Sequence, residues 1–393
     1  MTVQSEPRAH AFVDEVRGGA LPGVFLMTDS FDTGGSERQF AALARALDRN
    51  LFRVNIGCIT KRGSFLEGFG GVSEFPLGGN LYGPRSMQAR FRLARYLRDS
   101  RIAIAQAFDF YTNLTLIPAA RLARVPVIIG SQRQLGDLLT PAKSRAQRIV
   151  LNWCDRVVCN SRAAAERLIE KGLRETQVVV IPNGLPPANF DGAVPAMPRR
   201  DPLLRVGMIA RMNTEAKHHR TFLHAAARLL DKFTNLEFVL AGDGPLRSEF
   251  ERMALDLRII DRVRFLGDRQ DIPAILASID ISVLPSASES LSNVIIESMA
   301  AGVPVVATRV GGNPELIDDS RGILVSPADD ECLSAAIERL LKDAHMRRVL
   351  GRNGKAFAEA NFTISEMKHR HEALYSDLLT RKARQQTKSY VHC

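Results

Sequence analysis

Pro285-Ser286-Ala287-Ser288-Glu289-Ser290-Leu291-Ser292-Asn293-Val294-Ile295-Ile296-Glu297-Ser298-Met299-Ala300-Ala301-Gly302-Val303-Pro304-Val305-Val306-Ala307 is the stretch whose reading decides the fold. The four residues before it, Ile281, Ser282, Val283 and Leu284, have the length and apolar character of a buried strand, which stops at Pro285. A polar loop follows, then a helical pattern, then Gly302, then a second apolar run over 303–307. Strand, loop, helix, glycine, strand is the building unit of a parallel α/β sheet, and ligands of such sheets bind at the loops beyond the carboxyl ends of strands. Ser292 stands where a helix N-cap is expected. Leu291, Val294, Ile295 and Met299 take the core face, and Asn293 and Glu297, four residues apart, share the other. Glu289 lies just before the helix start. Free N–H groups at such a start bind phosphate, and a carboxylate on either side holds hydroxyls, a layout that suits a nucleoside diphosphate sugar.

A glutamate pair at this spacing is common by itself; its surroundings distinguish it. The chain continues Val305-Val306-Ala307-Thr308-Arg309-Val310-Gly311-Gly312-Asn313-Pro314-Glu315. The run 289–312 resembles the signature of the family 4 retaining glycosyltransferases of the GT-B fold: Glu, seven residues, Glu, a Gly-x-Pro-Val-Val strand and a Gly-Gly turn. The resemblance reaches from about Thr28 to Phe362. It implies two doubly wound, Rossmann-like parallel-sheet domains facing across a cleft. The expected division is an N-terminal acceptor domain, 1–195, and a C-terminal nucleotide-sugar donor domain, 196–363, with a final helix, 364–381, packing back on the first domain.

The rest of the sequence agrees with an α/β alternation on its own terms. Strands are expected at 24–28, 53–59, 102–107, 127–131, 156–159 and 178–181, with helices at 37–47, 88–99, 115–123 and 162–171. After Ile181 come Pro182, Pro186, Pro187, Pro195, Pro198 and Pro202, the composition of an interdomain linker. A second alternating series follows from Leu204 to 341. Residues 1–21 read as a frayed tail without the apolar run of a signal peptide, and 382–393 as a polar tail.

The chain has 393 residues and a net charge of +10, and no apolar run approaches the length of a membrane-spanning helix. Five cysteines (58, 154, 159, 332 and 393), odd in number and without a C-x-x-C, read as free thiols of a reducing cytoplasm. Residues 1–195 hold 25 Lys and Arg against 17 Asp and Glu; the remainder holds 28 against 26. The excess sits in the first half, densest over Arg90-Phe91-Arg92-Leu93-Ala94-Arg95-Tyr96-Leu97-Arg98-Asp99-Ser100-Arg101. That segment is either a solvated helix face with Leu93 and Leu97 turned to the core, or a peripheral contact with anionic lipid. No nucleic-acid motif accompanies the basic charge. The expected location is the cytoplasm, with the inner membrane face as the peripheral alternative.

As the resemblance implies, Arg211 and Lys217 grip the donor diphosphate, whose leaving group gains negative charge that fixed cations stabilise. Glu297 holds ribose hydroxyls, Glu289 contacts the donor sugar, and backbone groups at Leu291, Ser292 and Asn293 hold phosphate or sugar. Gly242 and Gly244, in Ala241-Gly242-Asp243-Gly244-Pro245, let the backbone approach the nucleotide; the further glycine of a dinucleotide fingerprint is absent at Arg247. Phe265-Leu266-Gly267-Asp268-Arg269 resembles the segment that reads the base edge through main chain. Gly34 and Gly35 form either a loop facing donor and acceptor or a plain strand-to-helix turn. No D-x-D and no clustered His/Cys ligands occur, so a metal-free site without a cofactor is expected. Many relatives carry a histidine at the fourth strand of the first domain, yet this chain has none between His10 and His218. Gln106 or Asp109 is expected in its place, Asp109 either as a base or hydroxyl acceptor or as a helix cap. Ser131-Gln132-Arg133 is expected to point toward the cleft, and Trp153 to fill core. The function implied is retaining transfer of a hexosyl unit from a nucleoside diphosphate sugar to a hydroxyl acceptor, lipid-linked or not, in polysaccharide or glycolipid assembly. The alternatives are a sugar-nucleotide epimerase of the same fold and a non-catalytic sugar-nucleotide-binding protein.

Overall fold

A computed structural model describes residues 21–137 and 139–391. The expected tail at the N-terminus lies outside these residues except for Leu21, and Cys393 lies outside them too. Two compact units result, one running to Gly184 and resuming at Ile364, the other Leu185–Thr363.

The first unit is a seven-stranded sheet of β1 (Gly23–Thr28), β2 (Arg53–Cys58), β3 (Ser73–Glu74), β4 (Ile102–Ala107), β5 (Val127–Gln132), β6 (Arg156–Cys159) and β7 (Val178–Val180). Its order is β3-β2-β1-β4-β5-β6-β7, and every pairing is parallel. Strand alternation sends side chains to two cores. Phe25 and Met27 join helices Pro84–Asp99, Phe110–Leu122, Pro141–Leu151 and Arg162–Glu170 on one face. Val24 and Leu26 join helices Gly35–Ala46 and Ile364–Val391 on the other. The last helix is fastened by a buried bond: the Tyr375 hydroxyl donates to Gln106 Oε1, both side chains being fully buried.

The second unit holds β8 (Leu204–Ile209), β9 (Leu236–Ala241), β10 (Val263–Gly267), β11 (Ile281–Leu284), β12 (Val305–Thr308) and β13 (Gly322–Val325) in the order β10-β9-β8-β11-β12-β13. All its pairings are parallel as well. The direction of winding reverses between β8 and β11, which makes that gap the topological switch point.

Four expectations need correction. The division falls at Gly184 and Leu185, not at 195 and 196. Leu185 is buried with Leu284 and Ile295, and its N–H donates to the Phe362 carbonyl at 2.7 Å. The proline-rich stretch is also packed on the second unit, since Lys355 Nζ donates to the Phe190 carbonyl at 2.9 Å and the Met197 N–H to Ser278 Oγ at 3.0 Å. The residues after Arg381 continue the last helix to Val391. Trp153 is 41% exposed and fills no core. Helices Pro141–Leu151 and Ala344–Asn361 were not expected; each is polar on most of its surface and is started by a side-chain cap, Thr140 and Asp343 respectively. Among the described residues no helix is long and apolar enough to cross a membrane.

Replacing Tyr375 with Phe leaves Gln106, whose amide nitrogen already lacks a partner among the described residues, with its amide oxygen deprived of the Tyr375 bond as well. The expected cost is about 1–3 kcal/mol of stability, read as a lower thermal midpoint by circular dichroism. An unchanged midpoint would mean that this bond does not fasten the helix.

Candidate active site

In the second unit three loops at the carboxyl ends of β8, β9 and β11 are tied together. Beyond β8 the chain runs Arg211 to Lys217 and closes in a short turn, Glu215–Lys217, capped by Thr214. His218 takes a left-handed conformation (φ 56°), and His219 stacks on Phe250 at 4.8 Å between ring centroids. Burial pushes the His219 imidazole down to about 4, so it is neutral and serves as a packing group. Sequence reasoning missed this anchor, because a histidine beside a basic loop carries no packing signal.

The turn beyond β9 lies against the first loop. Gly242 (φ 140°) and Gly244 (φ 154°) adopt conformations that favour glycine. A Cβ on Gly242 would meet the Ala210 carbonyl oxygen at 2.0 Å, and one on Gly244 the Met212 carbonyl at 2.4 Å. The Met212 N–H donates to the Asp243 carbonyl at 2.8 Å. The two glycines are therefore required by close backbone approach beside Arg211.

The loop beyond β11 brings the acid. Lys217 Nζ donates to Glu289 Oε1 at 2.5 Å. The Ala287 N–H reaches the Ala216 carbonyl at 2.8 Å, so backbone and side chain join the two loops on either side of the switch point. Glu289 is held from behind as well: the Gly312 N–H donates to its carbonyl at 3.0 Å. Gly311, beside Gly312, has φ 48°, a left-handed conformation that favours glycine. Helix Asn293–Ala300 starts at Ser292, whose Oγ accepts from the Ile295 N–H at 3.3 Å. Glu297 lies one turn in and is buried, as are Leu291 and Ser292. Ser286 Oγ and Asn313 Oδ1, buried within and just after this motif, have no hydrogen-bond partner among the described residues; neither was picked out from the sequence.

The other sequence-derived residues fall differently. Arg211 is exposed and, among the described residues, makes no ion pair. The Arg269 guanidinium is engaged by Asp271 two residues on, at 2.8 and 2.5 Å, which turns its side chain to a neighbour and leaves only its main chain for the expected contact. Among the described residues no group of three or more His, Cys, Asp or Glu is placed to hold a metal ion.

Gly34, Gly35 and Asp109 belong to the first unit. Gly34 is the N-cap of helix Gly35–Ala46 with extended backbone (φ −156°), a conformation open to any residue. Asp109 is the N-cap of helix Phe110–Leu122: Oδ1 accepts from the Thr112 N–H at 2.9 Å and Oδ2 from the Asp29 N–H at 3.0 Å. Of its two expected roles, capping is the one these contacts display. Gln106 is committed to Tyr375 and fully buried. Arg133 is buried with Nη2 on Asn183 Oδ1, its guanidinium over the Phe108 ring at 4.9 Å. Asp29 was missed; it follows β1, touches Asp109 through its N–H, and is itself pushed up by burial.

Comparisons with known proteins agree with this layout. A family model described as Glycosyltransferase Family 4 matches residues 33–189, and one described as Glycosyl transferases group 1 matches 204–343. The chain is 35% identical over 208 residues to the lipopolysaccharide core biosynthesis glycosyltransferase LpsE of Rhizobium meliloti, covering 51% of this chain and 58% of that one. It is 24% identical over 318 residues to the UDP-Gal:alpha-D-GlcNAc-diphosphoundecaprenol alpha-1,3-galactosyltransferase of Escherichia coli, covering 76% and 81%. The chain spans about half the length of the first curated relatives it matches, 58%, 43% and 45%. Among solved structures, Anabaena HepE in complex with UDP and glucose superposes with a TM-score of 0.77 at 22% identity, covering 90% of this chain and 99% of that one. Sucrose-phosphate synthase of Thermosynechococcus elongatus gives 0.74 at 19%, covering 92% and 100%. These likenesses show the fold.

Burial pushes the Asp109 carboxyl up from 3.8 to about 7, against the N–H bonds from Thr112 and Asp29. Its folded value lies above its unfolded one, so its contribution is complete below the unfolded value and is lost as pH rises toward 7. Asp109→Asn keeps a capping oxygen and removes the titration. Between about pH 4 and about pH 7 the thermal midpoint of the variant should fall less steeply than the parent's. Parallel profiles would remove Asp109 as the source of the slope.

Proposed function

Because the chain belongs to the group 1, family 4 glycosyltransferases and has the GT-B fold of two parallel-sheet α/β units, we propose that it transfers a hexosyl unit from a nucleoside diphosphate sugar to a hydroxyl acceptor with retention of configuration. The observation that carries this reading is the Lys217–Glu289 contact at 2.5 Å across the switch point of the second unit. An ammonium fixed there, on the same loop as Arg211, neutralises a diphosphate as the glycosidic bond breaks and charge moves onto the leaving oxygen. Glu289 orients the ammonium and reaches hydroxyls of the sugar; Glu297 holds the ribose. Retention follows from the leaving phosphate taking the acceptor proton on the face it departs from. The charges that a metal would supply come from Arg211, Lys217 and the start of helix Asn293–Ala300.

The solved HepE complexes contain UDP, glucose or UDP-glucose, which supports a uridine diphosphate sugar as the first donor to try. The E. coli relative is named for a diphosphoundecaprenol acceptor, which supports a lipid-linked acceptor in cell-surface polysaccharide or glycolipid assembly at the inner membrane face. The lack of a histidine from residue 11 to residue 217, with Gln106 and Asp109 both committed to structural bonds, favours one other reading: a protein that binds sugar nucleotides without turnover.

Incubation with UDP- and GDP-hexoses separates the readings. Release of nucleoside diphosphate or transfer to an acceptor supports the enzyme; tight binding without turnover supports the alternative; an isomeric sugar nucleotide would mean an epimerase. Lys217→Ala should slow transfer about a hundredfold and weaken donor binding while the thermal midpoint stays near the parent's, because the bond from the Ala287 N–H to the Ala216 carbonyl still ties the two loops. Full activity in that variant would take Lys217 out of the mechanism. A chelator should leave the rate unchanged; a loss restored by magnesium would overturn the metal-free proposal.

A further inference from the structure

The charge excess of the first half acquires a shape in the first unit. Helices Pro84–Asp99, Phe110–Leu122 and Pro141–Leu151 pack side by side on one face of its sheet and carry nine Lys and Arg against Asp99 alone. On the first of them, helical spacing turns Ala89, Leu93 and Leu97 to the core and puts Met87, Phe91, Arg95 and Arg98 on one outward stripe. Asp99 is spent on Arg95, at 3.5 Å.

A solvated helix face explains the arginines but not their neighbours. Of the eleven large apolar side chains exposed among the described residues, seven lie on or beside these three helices. Tyr82 is 72% exposed and Phe91 57%; Met87, Leu122, Ile149 and Trp153 accompany them. The surface is continuous. Arg98 Nη2 donates to the Leu122 carbonyl at 3.4 Å, and Arg121 Nη2 donates to the Trp153 carbonyl. Scattered apolar residues need no explanation, but a rimmed concentration of them does.

We infer that this face docks on an anionic lipid bilayer: the arginines meet headgroup phosphates, and Tyr82, Phe91 and Trp153 sink into the interfacial layer. Charge complementarity selects an anionic partner. The interleaved aromatic and aliphatic side chains select lipid over nucleic acid, because they offer burial in the acyl boundary and no base-edge readout. The inference rests on the proposed lipid-linked acceptor for its purpose alone; the surface is defined within the first unit, and its test uses neither donor nor acceptor.

The full chain is sedimented with vesicles of phosphatidylcholine alone or mixed equally with phosphatidylglycerol. Binding to the mixed vesicles, little to the neutral ones, and release by high salt are expected. Substituting Ser at Arg92, Arg95 and Arg98 together should lower partitioning about a hundredfold. Phe91→Ser combined with Trp153→Ser, which leaves the charge unchanged, should lower it about tenfold. Equal binding to neutral vesicles, no binding at all, or a triple variant that binds like the parent would overturn the proposal, as would capture by duplex DNA in place of vesicles. The salt dependence of the unaltered chain decides the matter even if a variant folds poorly. Sugar transfer lost with vesicle binding retained would count against the catalytic reading alone, and the reverse against this one alone.

Discussion

The ion pair between Lys217 and Glu289 is the contact on which the site of the second unit depends. A parallel sheet whose winding reverses between β8 and β11 leaves two loops diverging from a gap. Nothing in the sheet itself holds those loops to each other. The ion pair and the bond between Ala287 and Ala216 do so, and the Gly312 N–H fixes the Glu289 backbone from the turn beyond β12. The lysine side chain is about one third exposed and the glutamate about one tenth. The pair is thus protected enough to matter electrostatically and open enough for a ligand to reach the ammonium.

The first unit uses its polar residues for a different purpose. Gln106 and Tyr375, buried, and Asp109, half-buried, meet at or near the carboxyl end of β4, and each is drawn into fastening an element: the last helix in one case, the start of helix Phe110–Leu122 in the other. A buried polar group must find a partner or destabilise the fold, so these positions are occupied by structural work. Arg133, buried with one nitrogen lacking a partner among the described residues, shows the same pressure incompletely met. The outer face of this unit is where charge and apolar area are left over.

Much of this was legible in the sequence. Short apolar runs separated by helical periodicity placed nearly every strand, because a buried parallel strand must be continuously apolar. The cap Ser292, the pair Glu289 and Glu297 and the glycines 242 and 244 were all singled out, since capping, helical spacing and close backbone approach leave local marks. Helices Pro141–Leu151 and Ala344–Asn361 were not, because their apolar positions are few and their starts depend on single capping bonds. The unit boundary was misplaced for a similar reason: prolines mark irregular backbone, but whether irregular backbone is free or packed is settled by partners such as Lys355 and Ser278, far away in sequence.

The sequence alone determined two parallel α/β units, the residues that start the signature helix, and the reservoir of positive charge in the first half. Tertiary structure decided which cation meets Glu289, that Asp109 caps a helix, that Arg269 is taken by Asp271, and that Trp153 lies at the surface. The division has a physical cause. Periodicity, capping and glycine conformation act over a few residues and are written locally, whereas ion pairing and burial join groups separated by tens to hundreds of residues and exist only once the chain has folded.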